Sequence, residues 1–229
     1  MSDWKKSNKL WETTHLKNQY LIMRHGESTA NHERRWVAAP ESCCHGYGLT
    51  ERGRQQVEEA VERERSSGLL TKSTIVLSSD FLRARETAEI VRRIVAAAPV
   101  RIDPRLRERA CGEMEGRILG PDLGARIIAE VTASDLSDPM KSLYGLETAS
   151  AVQERFTSLI TELEAASTEC VYLLVCHGDL LRVGLAAVSK VSPGEHWRFG
   201  HISNAGLYHL NQFFGRGLPL PPAVEFTGA

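Results

Sequence analysis

Three separated stretches of this 229-residue chain put arginine or histidine just beyond an apolar run. Arg24 and His25 follow Tyr-Leu-Ile-Met at 20–23, Arg83 lies a few residues after Thr-Ile-Val-Leu at 74–77, and His177 follows the run 170–176. A neutral imidazole carries a lone pair that can attack an electrophile, and a guanidinium offers a planar fork of donors that matches phosphate oxygens. Two of each converging on one crevice would form an anion pocket. Gly26 and Gly178, directly after the two histidines, would let backbone approach a ligand closely. Taken singly the residues say less. A histidine after a strand is more often a structural hydrogen-bonder, and Arg83 has Asp80 and Glu86 within reach as surface ion-pair partners.

The elements that must position these groups read as follows. Residues 20–23 form a short apolar strand ended by the polar turn Arg24–Glu27, and a loop with Pro40, Gly46 and Gly48 runs from 32 to 48. Thr50 is a fitting N-cap for a helix to about Ser66 that carries Val57, Ala60 and Val61 on one face, with Gly68 at its end. Residues 73–77 are β-branched and predict a second strand, after which Ser78-Ser79-Asp80 should cap a helix bearing Leu82, Ala84, Ala88, Ile90, Val91 and Ile94. A weak strand at 100–102, a charged loop at 105–120 and helices near 121–134 and 147–165 come next. The run 170–176 is the strongest strand, broken by His177-Gly178, and a helix spans 180–188. This alternation predicts an α/β fold: a mostly parallel central sheet with helices on both faces and polar residues gathered at the carboxyl ends of the strands, where such sheets bind ligands. Residues 1–18, with Trp4 and Trp11, read as an N-terminal extension to a domain spanning 19–229, and the proline-rich 218–222 as an extended tail.

Lys and Arg number 28 against 29 Asp and Glu, a net charge of -1, so neither nucleic acid nor an anionic membrane is an expected partner. Any positive field must be local. The five cysteines, Cys43, Cys44, Cys111, Cys170 and Cys176, include no C-x-x-C pair and suggest reduced cytosolic thiols. The polar first fourteen residues lack a secretory apolar segment, and no run is long enough to span a bilayer. A soluble cytoplasmic protein is expected. Oligomeric state is not legible.

With these residues in view, the chain resembles the histidine phosphatase superfamily, in its phosphoglycerate mutase-like branch, from about Tyr20 to about Leu210. Leu-Ile-Met-Arg-His-Gly-Glu-Ser at 21–28, followed by Asn31, is similar to the family's R-H-G-E signature. Leu49-Thr50-Glu51-Arg52-Gly53 with Gln56 resembles its L-T-x-x-G-x-x-Q helix start. Ser78-Ser79-Asp80-Phe81-Leu82-Arg83-Ala84 with Thr87-Ala88 resembles S-S-x-L-x-R-A-x-x-T-A. Leu106-Arg107-Glu108 with Gly112-Glu113-Met114-Glu115-Gly116 is similar to the acid loop, and Val175-Cys176-His177-Gly178 to the second-histidine strand end. Five segments in the right order are far more specific than one.

The resemblance implies a three-layer sandwich and a phosphohistidine intermediate. His25 would attack phosphorus; Arg24, Asn31, Arg83, His177 and Gly178 would hold the phosphoryl group; Glu108 would protonate the leaving oxygen. No metal or other cofactor is implied, because arginines supply the charge. Glu113 and Glu115 rival Glu108, and Arg105, Arg107 and Arg109 around it make a solvated salt-bridge face the competing reading. Asp179 reads as a helix cap, Glu27 as a group orienting Arg24 or nearby backbone, Cys43 and Cys44 as ordinary loop thiols, and His45, His196, His201 and His209 as structural or surface residues. The expected reaction is hydrolysis of a small phosphomonoester. A mutase is the nearest rival, although the loop after His25 lacks the mutase pattern; a protein phosphatase and a non-catalytic phosphate-binding module are the others.

Overall fold

The computed structural model describes residues 3–217. In chain order its elements are α1 (Asp3–Ser7), β1 (Gln19–Arg24), the single-turn helices α2 (Thr29–His32) and α3 (Pro40–Cys43), α4 (Glu51–Ser66), β2 (Ile75–Ser78), α5 (Leu82–Val95), β3 (Arg101–Ile102), α6 (Pro121–Ser137), α7 (Ala149–Ala166), β4 (Val171–Cys176), α8 (Gly178–Val188) and β5 (Leu207–His209). The five strands lie in the order β3-β2-β4-β1-β5. The first four are parallel, and β5 runs antiparallel along β1.

Both faces of this sheet are covered, and that is why its central strands are continuously apolar. Alternate residues of β1 part company. Tyr20 and Ile22 pack with Phe156, Leu159 and Ile160 of α7 and with Leu181 and Leu185 of α8. Leu21 and Met23 pack on the other side with Val57 and Val61 of α4 and Ala84, Ala88 and Val91 of α5. The expected α/β sandwich is the observed one. Two smaller apolar clusters lie outside the layers: Val37, Ala38, Cys43 and Phe81 under α3, and Met114, Leu119, Ile127, Val131 and Leu146 around α6.

Several local expectations differ. Ser78-Ser79-Asp80 do not cap α5: its N-cap is Phe81, with no side-chain cap. Those three groups serve elsewhere: Ser78 Oγ donates to Ser79 O at 2.8 Å, Ser79 Oγ accepts from Phe81 N at 3.3 Å, and Asp80 is held by Arg107. Helix α8 starts at Gly178, two residues earlier than expected, and Asp179 lies in its first turn while His177 is the N-cap. The loop from 32 to 48 contains α3, and 105–120 holds two 3₁₀ turns, Pro104–Leu106 and Gly112–Met114. Strand β5 was not anticipated, because three half-buried residues carry almost no periodic signal. The tail at 218–222 lies outside the described residues.

The segment before β1 is docked. Leu10 is 2% exposed and belongs to the cluster beneath α7 and α8, Asn8 Nδ2 donates to Ala187 O at 3.2 Å, and Lys190 Nζ donates to Thr13 O at 2.6 Å. Trp4 and Trp11 meet edge to face, with Lys5 over the Trp11 ring. Leu10→Ala is therefore expected to lower unfolding stability by about 2–4 kcal/mol, read from urea midpoints. A change within ±0.5 kcal/mol would mean that the segment is an appendage. Among the described residues no helix is long and apolar enough to cross a membrane.

Candidate active site

Register brings three strand ends together. His25 N donates to Cys176 O at 3.0 Å, and Ser79 N donates to Val175 O at 3.0 Å, so the residues that follow β1, β2 and β4 emerge side by side at the carboxyl edge. The turn carrying His25 is then clamped by α4. Gly26 and Gly53 are in backbone contact: a Cβ on Gly26 would lie 2.3 Å from Gly53 O, and one on Gly53 would lie 2.0 Å from Glu27 O. Gly26 thus serves close packing on the helix rather than ligand approach. Thr50 Oγ1 caps Gly53 N and donates to Glu27 Oε1, while Gln56 Oε1 accepts from Glu27 N. Glu27 is tied to Thr50, not to Arg24. Thr87 Oγ1 on α5 accepts from Gly26 N at 3.2 Å.

This clamp sets the imidazole of His25. Its Nδ1 lies 2.7 Å from Gly26 O, which can only accept, so Nδ1 carries the proton. Nε2 therefore bears the lone pair, and Arg83 Nε donates to it at 3.1 Å. The same Nε–H is shared with His177 Nδ1 at 3.3 Å, so His177 Nε2 is the protonated nitrogen and faces Ser79 Oγ at 3.0 Å. The two rings stand 5.1 Å apart. Arg83 is 3% exposed and completes its bonding with Cys43 Sγ at 3.4 Å and Val37 O at 3.1 Å. It makes no pair with Asp80 or Glu86, which are held by Arg107 and Arg54. Cys43 thus belongs to the wall behind Arg83. Cys44 Sγ instead donates to Asp80 Oδ2.

Burial foremost, then Arg83 and Arg24, push the His25 pKa well below the ordinary imidazole value, and burial with Arg83 does the same to His177. Both rings are neutral at pH 7. Arg24 anchors through Nη1 to Ile202 O at 2.5 Å and leaves a buried Nε without a partner. That orphan donor lies beside Gly178, where a Cβ would be 3.6 Å from it. Asn31 closes a capping box with Ser28, and its Oδ1 accepts from Ser28 N, Ser28 Oγ and Asn204 Nδ2. The amide Nδ2 is the group left to donate. Arg24, His25, Asn31, Arg83, Glu108 and Gly178 line one cavity of about 440 Å³. His177 lies directly behind, fully buried.

Glu108 lies beside Gly178, where a Cβ would be 3.9 Å from its Oε2. Its carboxylate accepts from Arg109 N at 2.9 Å and from Asp179 N and Leu180 N, at 3.2 and 3.3 Å, in the first turn of α8. None of the neighbouring arginines pairs with it. Arg105 binds Asp103 and Glu162, Arg107 binds Asp80, and Arg109 binds Asp135. Burial first, then Asp179, raises the Glu108 pKa, against the pull of the Arg109 amide, Arg83 and Arg24. The rival acids lie elsewhere: Glu113 is exposed, and Glu115 Oε2 accepts from Ala38 N at 2.9 Å.

Residues that the sequence did not point to complete the site. Arg155 on α7 donates to the carbonyls of Arg105, Arg107 and Glu108 and pairs with Glu147, so it fixes the acid loop from beneath. Asp135, 1% exposed, receives a bidentate Arg109 and the Trp197 indole, tying α6 to that loop and to the turn Pro193–Phe199. His196 is buried beside Asp135, and burial above all lowers its pKa to about 4. Trp36, Arg182, Trp197 and His201 line the cavity. Only the Asp179–Arg182 pair, three apart on a helix, had a local signal.

A parallel sheet whose carboxyl edge presents two neutral imidazoles and two guanidiniums is the frame of a known family. Residues 20–217 match the histidine phosphatase superfamily (branch 1), and the chain belongs to it. Among solved structures it is similar to the mycobacterial glucosyl-3-phosphoglycerate phosphatase, at 26% identity and a TM-score of 0.65, over 82% of this chain and 88% of that one. Bacillus stearothermophilus YhfR superposes with a TM-score of 0.65 at 25% identity, over 83% and 89%. Among curated proteins, the probable phosphoglycerate mutase GpmB of Erwinia tasmaniensis is 39% identical over 101 residues, 44% of this chain and 42% of that protein. The match to such relatives thus spans less than half of their length.

Proposed function

We propose that the protein hydrolyses a small phosphomonoester through a phosphohistidine on His25. The observation that carries this reading is the imidazole itself: proton on Nδ1, lone pair on Nε2, two guanidiniums beside it and, among the described residues, no carboxylate bonded to the ring. Nε2 attacks phosphorus, a P–N bond forms, and the ester P–O bond breaks. Arg24, Arg83, Asn31 and His177 take the charge spread over the phosphoryl oxygens. Glu108 gives its proton to the departing alkoxide. In the second step water attacks the phosphohistidine, loses its proton to Glu108 and releases inorganic phosphate, which returns the resting enzyme. In this reading the arginines supply all the positive charge, and the enzyme works in the cytoplasm.

A mutase reading has one support, the name of the curated relatives, and it shares the first step. The two part at the fate of the phosphoryl group. Release of inorganic phosphate from phosphate esters is the expected result; efficient interconversion of phosphoglycerates with negligible release would replace hydrolysis by transfer.

Glu108→Gln should cut kcat for alkyl phosphates by roughly 10²–10⁴ while leaving 4-nitrophenyl phosphate, whose leaving group needs no proton, within a few-fold of wild type. The acid form is the active one, so activity is lost as pH rises through the raised Glu108 pKa, and this limb should vanish in the variant. The same split in Glu113→Gln or Glu115→Gln would move the role to the loop.

A further inference from the structure

Beyond His25 the cavity is walled by apolar side chains, Trp36, Val37, Ile128, Leu146 and Trp197, and by three arginines. Each of those arginines is already matched to a carboxylate. Arg35 meets Glu33 at 2.8 Å, Arg109 meets Asp135 at 2.7 Å, and Arg182 is paired with Asp179. Arg35 also donates to Gly116 O and Arg109 to Glu147 O, while Arg182 lies 4.1 Å over the Trp197 ring with its buried Nε unpartnered. His201 adds no charge at neutral pH, because burial, with Arg24 and Arg182 nearby, keeps its pKa below the imidazole norm.

Asp179, the partner of Arg182, is ionised, so the two together leave this part of the wall with no net positive charge. Burial works against ionisation of Asp179, but Arg182 and further positive neighbours overcome it and hold the pKa at about 2. Among the cavity's arginines, only Arg24 and Arg83 lack an ion-pair partner, and both lie beside the nucleophile. Their two positive charges balance one phosphoryl dianion. A second anion on the substrate would lose its hydration without meeting an unmatched positive charge, because Asp179 already neutralises Arg182 beside it.

We infer that the substrate is a phosphomonoester whose alcohol part is uncharged and presents an apolar or aromatic face to Trp36 and Trp197. This rests on the hydrolytic reading above and narrows it. It excludes as preferred substrates the phosphorylated carboxylic acids and bisphosphates that a site with spare cations would select.

The test compares phenyl phosphate with 3-carboxyphenyl phosphate on the full-length protein at pH 7. The two leaving groups have similar acidity and differ by one negative charge. The carboxylated ester should be at least tenfold poorer in kcat/KM. Asp179→Asn removes the neutralising charge and frees Arg182, so the ratio between the two esters should contract several-fold. Any effect of that variant on Glu108 acts on both substrates and cancels in the ratio. Equal or better turnover of the carboxylated ester overturns the inference while leaving hydrolysis intact. A ratio that stays put in Asp179→Asn also overturns it, since charge would not be its origin. Failure to release phosphate from either ester, with no phosphohistidine on His25, sinks the underlying reading and the inference with it.

Discussion

His25→Ala is expected to lower kcat by roughly 10⁴–10⁶-fold, the scale of losing a covalent nucleophile, and to abolish acid-labile phosphate label on the protein after rapid quench. The fold should survive. The side chain is buried, but it borders the cavity and belongs to neither apolar cluster of the sheet. Its removal enlarges the cavity and deletes two side-chain bonds, one to Gly26 O and one from Arg83 Nε, whose N–H keeps His177 as a partner. A melting temperature within a few degrees of wild type, together with lost labelling, would assign the effect to chemistry. Turnover within tenfold of wild type would remove the mechanism. Phosphate binding without turnover in the wild type would favour the non-catalytic module instead.

Arg83→Met is the second large effect, roughly 10²–10³ in kcat. Arg83 touches both histidines through one N–H, so its loss removes the group that positions the two rings and, in the proposed mechanism, a hydrogen-bond donor to the phosphoryl oxygens. Arg83→Lys should recover little, because an ammonium on a flexible stem cannot reproduce a planar fork reaching His25, His177, Cys43 and Val37. The pH profile gives an independent readout. In the proposed mechanism neutral His25 attacks, so kcat/KM should fall as pH drops through the His25 pKa. In wild type, burial, Arg83 and Arg24 hold that pKa low. With Arg83 gone one depressing charge disappears, and the acid limb should move to higher pH. A limb that stays in place or moves down would show that another group controls it.

The sheet and its helices were legible because their signals are local. A run such as Tyr-Leu-Ile-Met at 20–23 can satisfy both faces only as a central strand, and Thr50 at the head of an apolar-striped segment can do little else than start a helix. The turn that carries His25 was legible for a similar reason. The L-T-x-x-G-x-x-Q spacing exists to hold it, through Thr50, Gly53 and Gln56.

The rest depends on distance in space. Which acid faces the cavity turned on where Arg105, Arg107 and Arg109 found their partners, at Asp103 and Glu162, Asp80 and Asp135, in three different parts of the chain. The supports of Glu108 are equally remote, with Arg155 on α7 and the first amides of α8. The spacing of residues along the chain thus determines that an imidazole and two guanidiniums meet at the end of a parallel sheet. Folding alone decides how the remaining charges are neutralised, because an ion pair depends on separation and burial, and neither is written in local periodicity.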